Sequence, residues 1–75
     1  MQEKDINYYM KICFDNNVKV YPIIYDQLYM KIQVDYAGRK KTGHEKYNWQ
    51  TQQKQMQLKI IELYETIGKN IQGRG

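Results

Sequence analysis

Between Asn48 and Ile67 the chain reads NWQTQQKQMQLKIIELYETI, and this stretch limits the fold more than any other. Met56, Ile60, Leu63 and Ile67 recur at helical spacing, with Tyr64 and Ile71 widening the same apolar stripe. The pattern predicts a helix over residues 49–67. Asn48 is placed to cap its first turn, and Gly68 to end it in a left-handed conformation that costs glycine nothing. At 1.5 Å per residue the rod is about 28 Å long, enough to cross a small sheet. The remaining residues must cover its stripe.

Residues 3–15, EKDINYYMKICFD, space Ile6, Tyr9, Met10, Cys13 and Phe14 along one face of a second helix. Asp15, Asn16 and Asn17 are turn formers that end it. Residues 18–25, VKVYPIIY, form a first strand, with Val18, Val20 and Ile24 on one face and Lys19, Tyr21, Ile23 and Tyr25 on the other. Pro22 lacks an N–H, so this strand belongs at an edge or turns that side to solvent. Residues 28–36, LYMKIQVDY, alternate Leu28, Met30, Ile32, Val34 and Tyr36 inward with Tyr29, Lys31, Gln33 and Asp35 outward, as a central strand does. Ala37-Gly38 suits a tight hairpin. A polar third strand follows over 39–47, which Gly43 weakens or bulges, and residues 71–75 are expected to fray. The expected fold is therefore α+β: one small domain in the order α-β-β-β-α, with a three-stranded antiparallel sheet packed on the long C-terminal helix and the N-terminal helix beside it.

Charge sharpens the functional reading. Of a formal +4, residues 37–47 alone hold +3, from Arg39, Lys40, Lys41 and Lys46 against Glu45. A basic hairpin on an otherwise balanced chain points to an anionic partner or to a solvated turn. The single cysteine, Cys13, excludes an internal disulfide and fits a reducing compartment. It lies on the apolar stripe, as a small core residue would. No apolar run approaches a membrane span and no signal segment is evident, so a cytoplasmic protein without a membrane role is expected.

Catalysis finds little support. The chain has no serine, so a Ser-His-Asp arrangement is impossible. His44-Glu45 opens like HExxH, but Asn48 stands at the second ligand position and no other histidine exists. Gly38 to Gly43 has the outer spacing of a phosphate loop, yet His44-Glu45 replaces the Lys-Ser/Thr that should follow. A non-enzymatic protein without metal or cofactor is expected.

Recognition remains. Tyr21, Tyr25 and Tyr29 share the outward strand faces with Lys19, Lys31, Lys40 and Lys46, and eight tyrosines are more than the core can hold. Lysines neutralise phosphates while aromatic rings stack or pack on sugars. The same mixture also suits a protein interface, or it merely shields a thin sheet. Trp49 either staples the core over Leu28 or Tyr47 or stands out as an anchor. Gln50, Gln52, Gln53 and Lys54 at the start of the long helix suit a phosphate. The candidate nucleic-acid or partner contacts are thus Tyr21, Tyr25, Tyr29, Lys31, Arg39, Lys40, Lys41, Lys46, Trp49 and Lys54.

The element order resembles the double-stranded RNA-binding domain, which implies contacts through Tyr8, Lys11, Gln27, Gln50, Gln53 and Lys54. Lys54 alone stands where that family has a lysine cluster. It also resembles three-stranded DNA-binding domains of plant transcription factors and integrase arms, which implies Tyr29, Lys31, Arg39, Lys40 and Lys46 in the major groove. The segment 29–67, with YMKIQVDYAGRKKTG and LKIIELYETI, is similar to small uncharacterised accessory proteins of low-GC bacteriophages. That likeness implies a phage protein acting in the host cytoplasm on nucleic-acid machinery or a defence complex, as an anti-CRISPR protein does. Two functions stand side by side: nucleic-acid binding, DNA or RNA, through the hairpin and sheet face, or inhibition of a host protein complex. A structural homodimer is the third.

Overall fold

A computed structural model describes residues 6–73. The chain forms α1 (Ile6–Asp15), β1 (Val18–Ile24), β2 (Tyr29–Tyr36), β3 (Arg39–Thr42), β4 (Tyr47–Asn48) and α2 (Gln53–Gly73). The α+β class and the helix–sheet–helix order are as the periodicities require. The expected first turn of α1, residues 3–5, lies outside the described residues, as do 74 and 75.

β2 is central, with β1 antiparallel on one side and β3 on the other. The expected third strand is split. β3 ends at Thr42, Gly43 donates a last bond to the Ile32 carbonyl at 2.8 Å, and the chain then leaves the sheet. It rejoins β2 at Tyr47, opposite Met30. Both hairpin turns follow from local chemistry. Ala37 and Gly38 take φ of 54° and 93°, the pair of positive angles of a type I′ turn. Asp26 Oδ1 accepts the N–H groups of Leu28 and Tyr29 at 2.9 Å, which closes the β1–β2 loop.

Both helices lie on one face of the sheet. The core joins Cys13 of α1, Val18, Val20, Ile32 and Tyr47 of the strands, and Met56 and Tyr64 of α2, with Ile6, Met10, Met30, Val34, Ile60, Leu63, Ile67 and Ile71 packed around it. The helices run antiparallel, since Tyr9 meets Gly68 and the Cys13 thiol donates to the Tyr64 carbonyl at 3.5 Å.

α2 departs from expectation at both ends. Its start is Gln53, not residue 49. Asn48 Oδ1 does cap, but what it caps is a separate turn, accepting the N–H groups of Gln50 and Thr51 at 2.9 and 3.1 Å. Gln52 then sets the helix start: its Oε1 accepts the Asn48 N–H at 2.8 Å and its carbonyl accepts from Met56 at 3.0 Å. At the far end Gly68 is buried within the helix, which runs on to Gly73, so the expected fraying from 71 does not occur through 73. A Cβ on Gly68 would fall 2.9 Å from the Cβ of Tyr9. Glycine is there to let the two helices touch.

The edge strand β1 accommodates Pro22 as its chemistry demands. Val20 turns its backbone away from β2, because its N–H donates to the Tyr64 hydroxyl at 2.8 Å and that hydroxyl donates back to its carbonyl at 3.0 Å. Pro22, two residues on, faces the same way, where the ladder needs no donor. The helices do not cover the whole inner face. Ile24 and Leu28, both expected inward, are 79% and 53% exposed, and Tyr36 is exposed at the other end of β2.

Candidate nucleic-acid and partner interface

Among the described residues no helix lies over the outer face of the sheet, and none of its side chains belongs to the core cluster or to the apolar residues packed against it. Pairing register places Lys19, Tyr21 and Ile23 of β1, Tyr29, Lys31, Gln33 and Asp35 of β2, and Lys40 and Thr42 of β3 on that face. All are exposed or half-buried.

Two side-chain groupings organise it. Across the three strands, Gln33 donates from Nε2 to the Tyr21 hydroxyl at 2.7 Å and accepts from the Thr42 hydroxyl at 3.3 Å. This polar ladder fixes one ring. Beside it, Tyr25 has the Lys31 ammonium 4.3 Å and the Lys46 ammonium 4.6 Å from its ring centroid, and Lys46 also lies 5.9 Å from the ring of Tyr29. The cations hold the rings through the quadrupole, and Tyr25 keeps half of its surface in solvent. Four predicted residues, Tyr25, Tyr29, Lys31 and Lys46, are thereby brought together from three separate segments.

Charge on this face is unbalanced. Lys19, Lys31, Lys40 and Lys46 stand against one carboxylate, Asp35, whose Oδ1 is engaged by the Gly38 N–H at 2.9 Å. Ion pairs among the described residues occur only on helices: Lys11–Asp15, Lys59–Glu62 and Lys69–Glu65, at 3.3, 3.3 and 3.0 Å. None of the sheet's cations has one.

The basic hairpin does not act as a block. Lys40 pairs across from Asp35 and faces out, whereas Arg39 pairs with Tyr36 and Lys41 with Val34, which puts both on the inner, helix-bearing side. Arg39 and Lys41, expected as contacts of the basic hairpin, therefore lie on the opposite side of the sheet from Lys40. Counting from the Ala37-Gly38 turn would have assigned them, because side chains alternate along β3. Trp49 is also off this face. It is 40% exposed at the uncovered inner corner, its indole N–H donating to the Gln27 carbonyl at 2.7 Å, in a hollow shared with Ile24, Met30 and Gln53. It is anchored over the β1–β2 loop and still presents an edge to solvent. Lys54 stands exposed on the first turn of α2. Of the contacts implied by RNA-binding domains, Lys11 is held by Asp15 and Tyr8 bonds Gln72.

Sequence reasoning missed a cleft on the inner side of β3, floored by Ile32, Val34, Tyr47 and Leu63 and rimmed by Lys41, His44, Glu45 and Lys59. The excursion at 43–46 creates it, and no periodicity marks that break. Tyr47 contributes its hydroxyl to Glu45 at 3.4 Å; burial first, then the Glu45 charge, raise its pKa above 10.0 despite the opposing charge of Lys59. Cys13 is fully buried, and burial raises its thiol above the usual value. Among the described residues no group of three or more His, Cys, Asp or Glu is gathered to hold a metal ion, and no helix is long and apolar enough to cross a membrane.

No family model, no curated protein and no solved structure matches the chain.

Proposed function

We propose that the chain binds nucleic acid through the outer face of its sheet, with Lys19, Lys31, Lys40 and Lys46 on phosphates and Tyr21, Tyr25 and Tyr29 against sugars and bases. The observation that supports this reading is the segregation of charge. Three of the four lysines on the helices, Lys11, Lys59 and Lys69, pair with carboxylates, while among the described residues none of the outer-face lysines does, and Lys31 and Lys46 lie over tyrosine rings instead. Phosphate contacts release counterions, so affinity depends on how many of these lysines engage. With all four, the slope of log affinity on log salt is about −3 for a single strand and about −3.6 for a duplex.

Fluorescence anisotropy with labelled single- and double-stranded DNA and RNA, read at several salt concentrations, tests it. Lys31→Ala with Lys46→Ala should weaken binding and flatten the slope by about 1.4 on single strands. Replacing the ion-paired Lys11 should leave both unchanged. Binding that is absent, or indifferent to salt, ends the proposal.

A protein partner is the second reading, supported by the apolar corner of Ile24, Leu28 and Trp49. Under it the chain engages a host complex or a second copy of itself there. Trp49→Ala would then abolish co-purification that survives nuclease treatment, or a dimer seen by light scattering.

A further inference from the structure

The two edges of the sheet are finished differently. On β1, the Tyr64 hydroxyl satisfies both backbone groups of Val20, and Pro22 supplies no donor. Among the described residues nothing comparable occurs on β3. Arg39, Lys41 and Gly43 point their backbone toward β2, as the pairing across the two-residue turn and the Gly43–Ile32 bond require. Lys40 and Thr42 therefore direct their N–H and C=O groups away from the sheet, along the last strand of the path. All four β3 residues are exposed.

Two hollows lie on the inner side of this open edge. One, of about 370 Å³, is lined by Val34, Tyr36, Arg39 and Lys41. The other is the cleft over Ile32, Tyr47 and Leu63, of about 320 Å³. They share Val34 and Lys41, so together they form one groove parallel to β3. Its charge is graded. Arg39 and Lys41 mark the turn end with no ion pair among the described residues, whereas Glu45, His44 and Lys59 sit at the other.

We propose that β3 accepts an added strand, an acidic extended segment of a partner protein with apolar residues at alternate positions. Backbone pairing with Lys40 and Thr42 supplies up to four hydrogen bonds and needs no particular side chains. Alternate apolar side chains of the incoming strand fall over the groove, toward Val34 and Leu63. Its alternate carboxylates fall on the other side of the strand, beside Lys40, and the field of Arg39 and Lys41 draws them toward the end nearer the Ala37-Gly38 turn, away from Glu45. Charge complementarity selects this occupant over a second copy of the chain, which would set three cations against three across the same edge. The site shares only Lys40 with the outer face, so the two readings are told apart at Val34, Lys41 and Leu63 on one side and at Tyr25, Tyr29, Lys31 and Lys46 on the other.

The test is a titration of the isotope-labelled protein, followed by amide NMR, with a blocked seven-residue peptide of alternating Glu and Val. Shifts concentrated at Lys40–Gly43, Val34 and Leu63 are expected. A peptide N-methylated at alternate residues, on the pairing edge, should bind at least about tenfold more weakly, as should Lys41→Glu with the unmodified peptide. Dispersed spectra of the variant verify that it is folded. The proposal is overturned by an absence of shifts at millimolar peptide, by equal binding of the N-methylated peptide, or by shifts confined to Tyr25, Tyr29, Lys31 and Lys46. It is also overturned if a single-stranded oligonucleotide perturbs Lys41, Gly43, Val34 and Leu63 more strongly than the peptide, which would make this edge a nucleic-acid site.

Discussion

Gly68→Ala sets two effects of known sign against each other. Within a helix, alanine is favoured over glycine by about 1 kcal/mol. The added methyl, however, would lie 2.9 Å from Cβ, 3.0 Å from Cδ1 and 3.2 Å from Cα of Tyr9. Carbon atoms rest about 3.5–4.0 Å apart, so α1 and α2 would have to part by roughly 0.5–1 Å. Two of the obstructing atoms, Cα and Cβ, belong to the backbone and stem of Tyr9, so a rotamer change moves only Cδ1 and leaves the closest clash in place. Overpacking of this kind costs about 1–3 kcal/mol, here toward the upper part because the Cys13–Tyr64 contact one turn away is pulled apart as well. The expected net loss is about 1–2 kcal/mol. In a chain of this size that lowers Tm by roughly 5–15 °C. Thermal and urea unfolding followed by circular dichroism at 222 nm measures it. Gly73→Ala is the control, since a methyl there meets nothing within 4 Å; it should be neutral or slightly stabilising. If both alanines stabilise alike, the close crossing of the helices is refuted.

Other outcomes can be stated more briefly. Ala37 sits at φ 54°, where an L residue loses about 1–2 kcal/mol, so Ala37→Gly or Ala37→Asn should raise the urea midpoint by up to about 1 kcal/mol equivalent; a drop would show the turn to be of another type. Tyr64→Phe leaves the Val20 N–H and carbonyl without their partner and should cost about 1–3 kcal/mol, with faster amide exchange at Val20. Tyr47 is harder to ionise in the folded chain than in the unfolded one. The stability it contributes is complete below about pH 10 and falls as pH rises through the folded value. Urea unfolding from pH 9 upward should therefore show a steeper loss in the parent than in Tyr47→Phe, and parallel curves would contradict the burial argument.

Much of the fold is legible wherever side chains repeat with a period. The face of α1, the alternation of β2 and the two-residue turn each follow from spacing and from residues that tolerate positive φ. The stretch RKKTGHEKY carries no apolar alternation, so nothing in it announced that β3 would stop at Thr42 and pairing resume at Tyr47. Gly68 failed as a boundary for a different reason: glycine serves equally where a helix must end and where a neighbour must come close. Ile71, continuing the stripe beyond it, was the signal for the second use. At Asn48 the cap was real, but a preceding turn consumed it and Gln52 took over at the helix. In the candidate interface, Tyr25, Tyr29 and Lys31 were foreseeable from parity alone, whereas the approach of Lys46 to the same rings depends on the path of 43–46 back into the sheet.

The two-residue turn at Ala37-Gly38 also works as a selector switch for charge. With two residues it turns one cation of the triplet Arg39-Lys40-Lys41 to the outer surface and two to the inner one, all of them exposed. Inserting a single residue there would rotate the returning segment by one step and reverse the tally. Surface potential on this small scaffold can thus be retuned by loop length, without exchanging any charged residue.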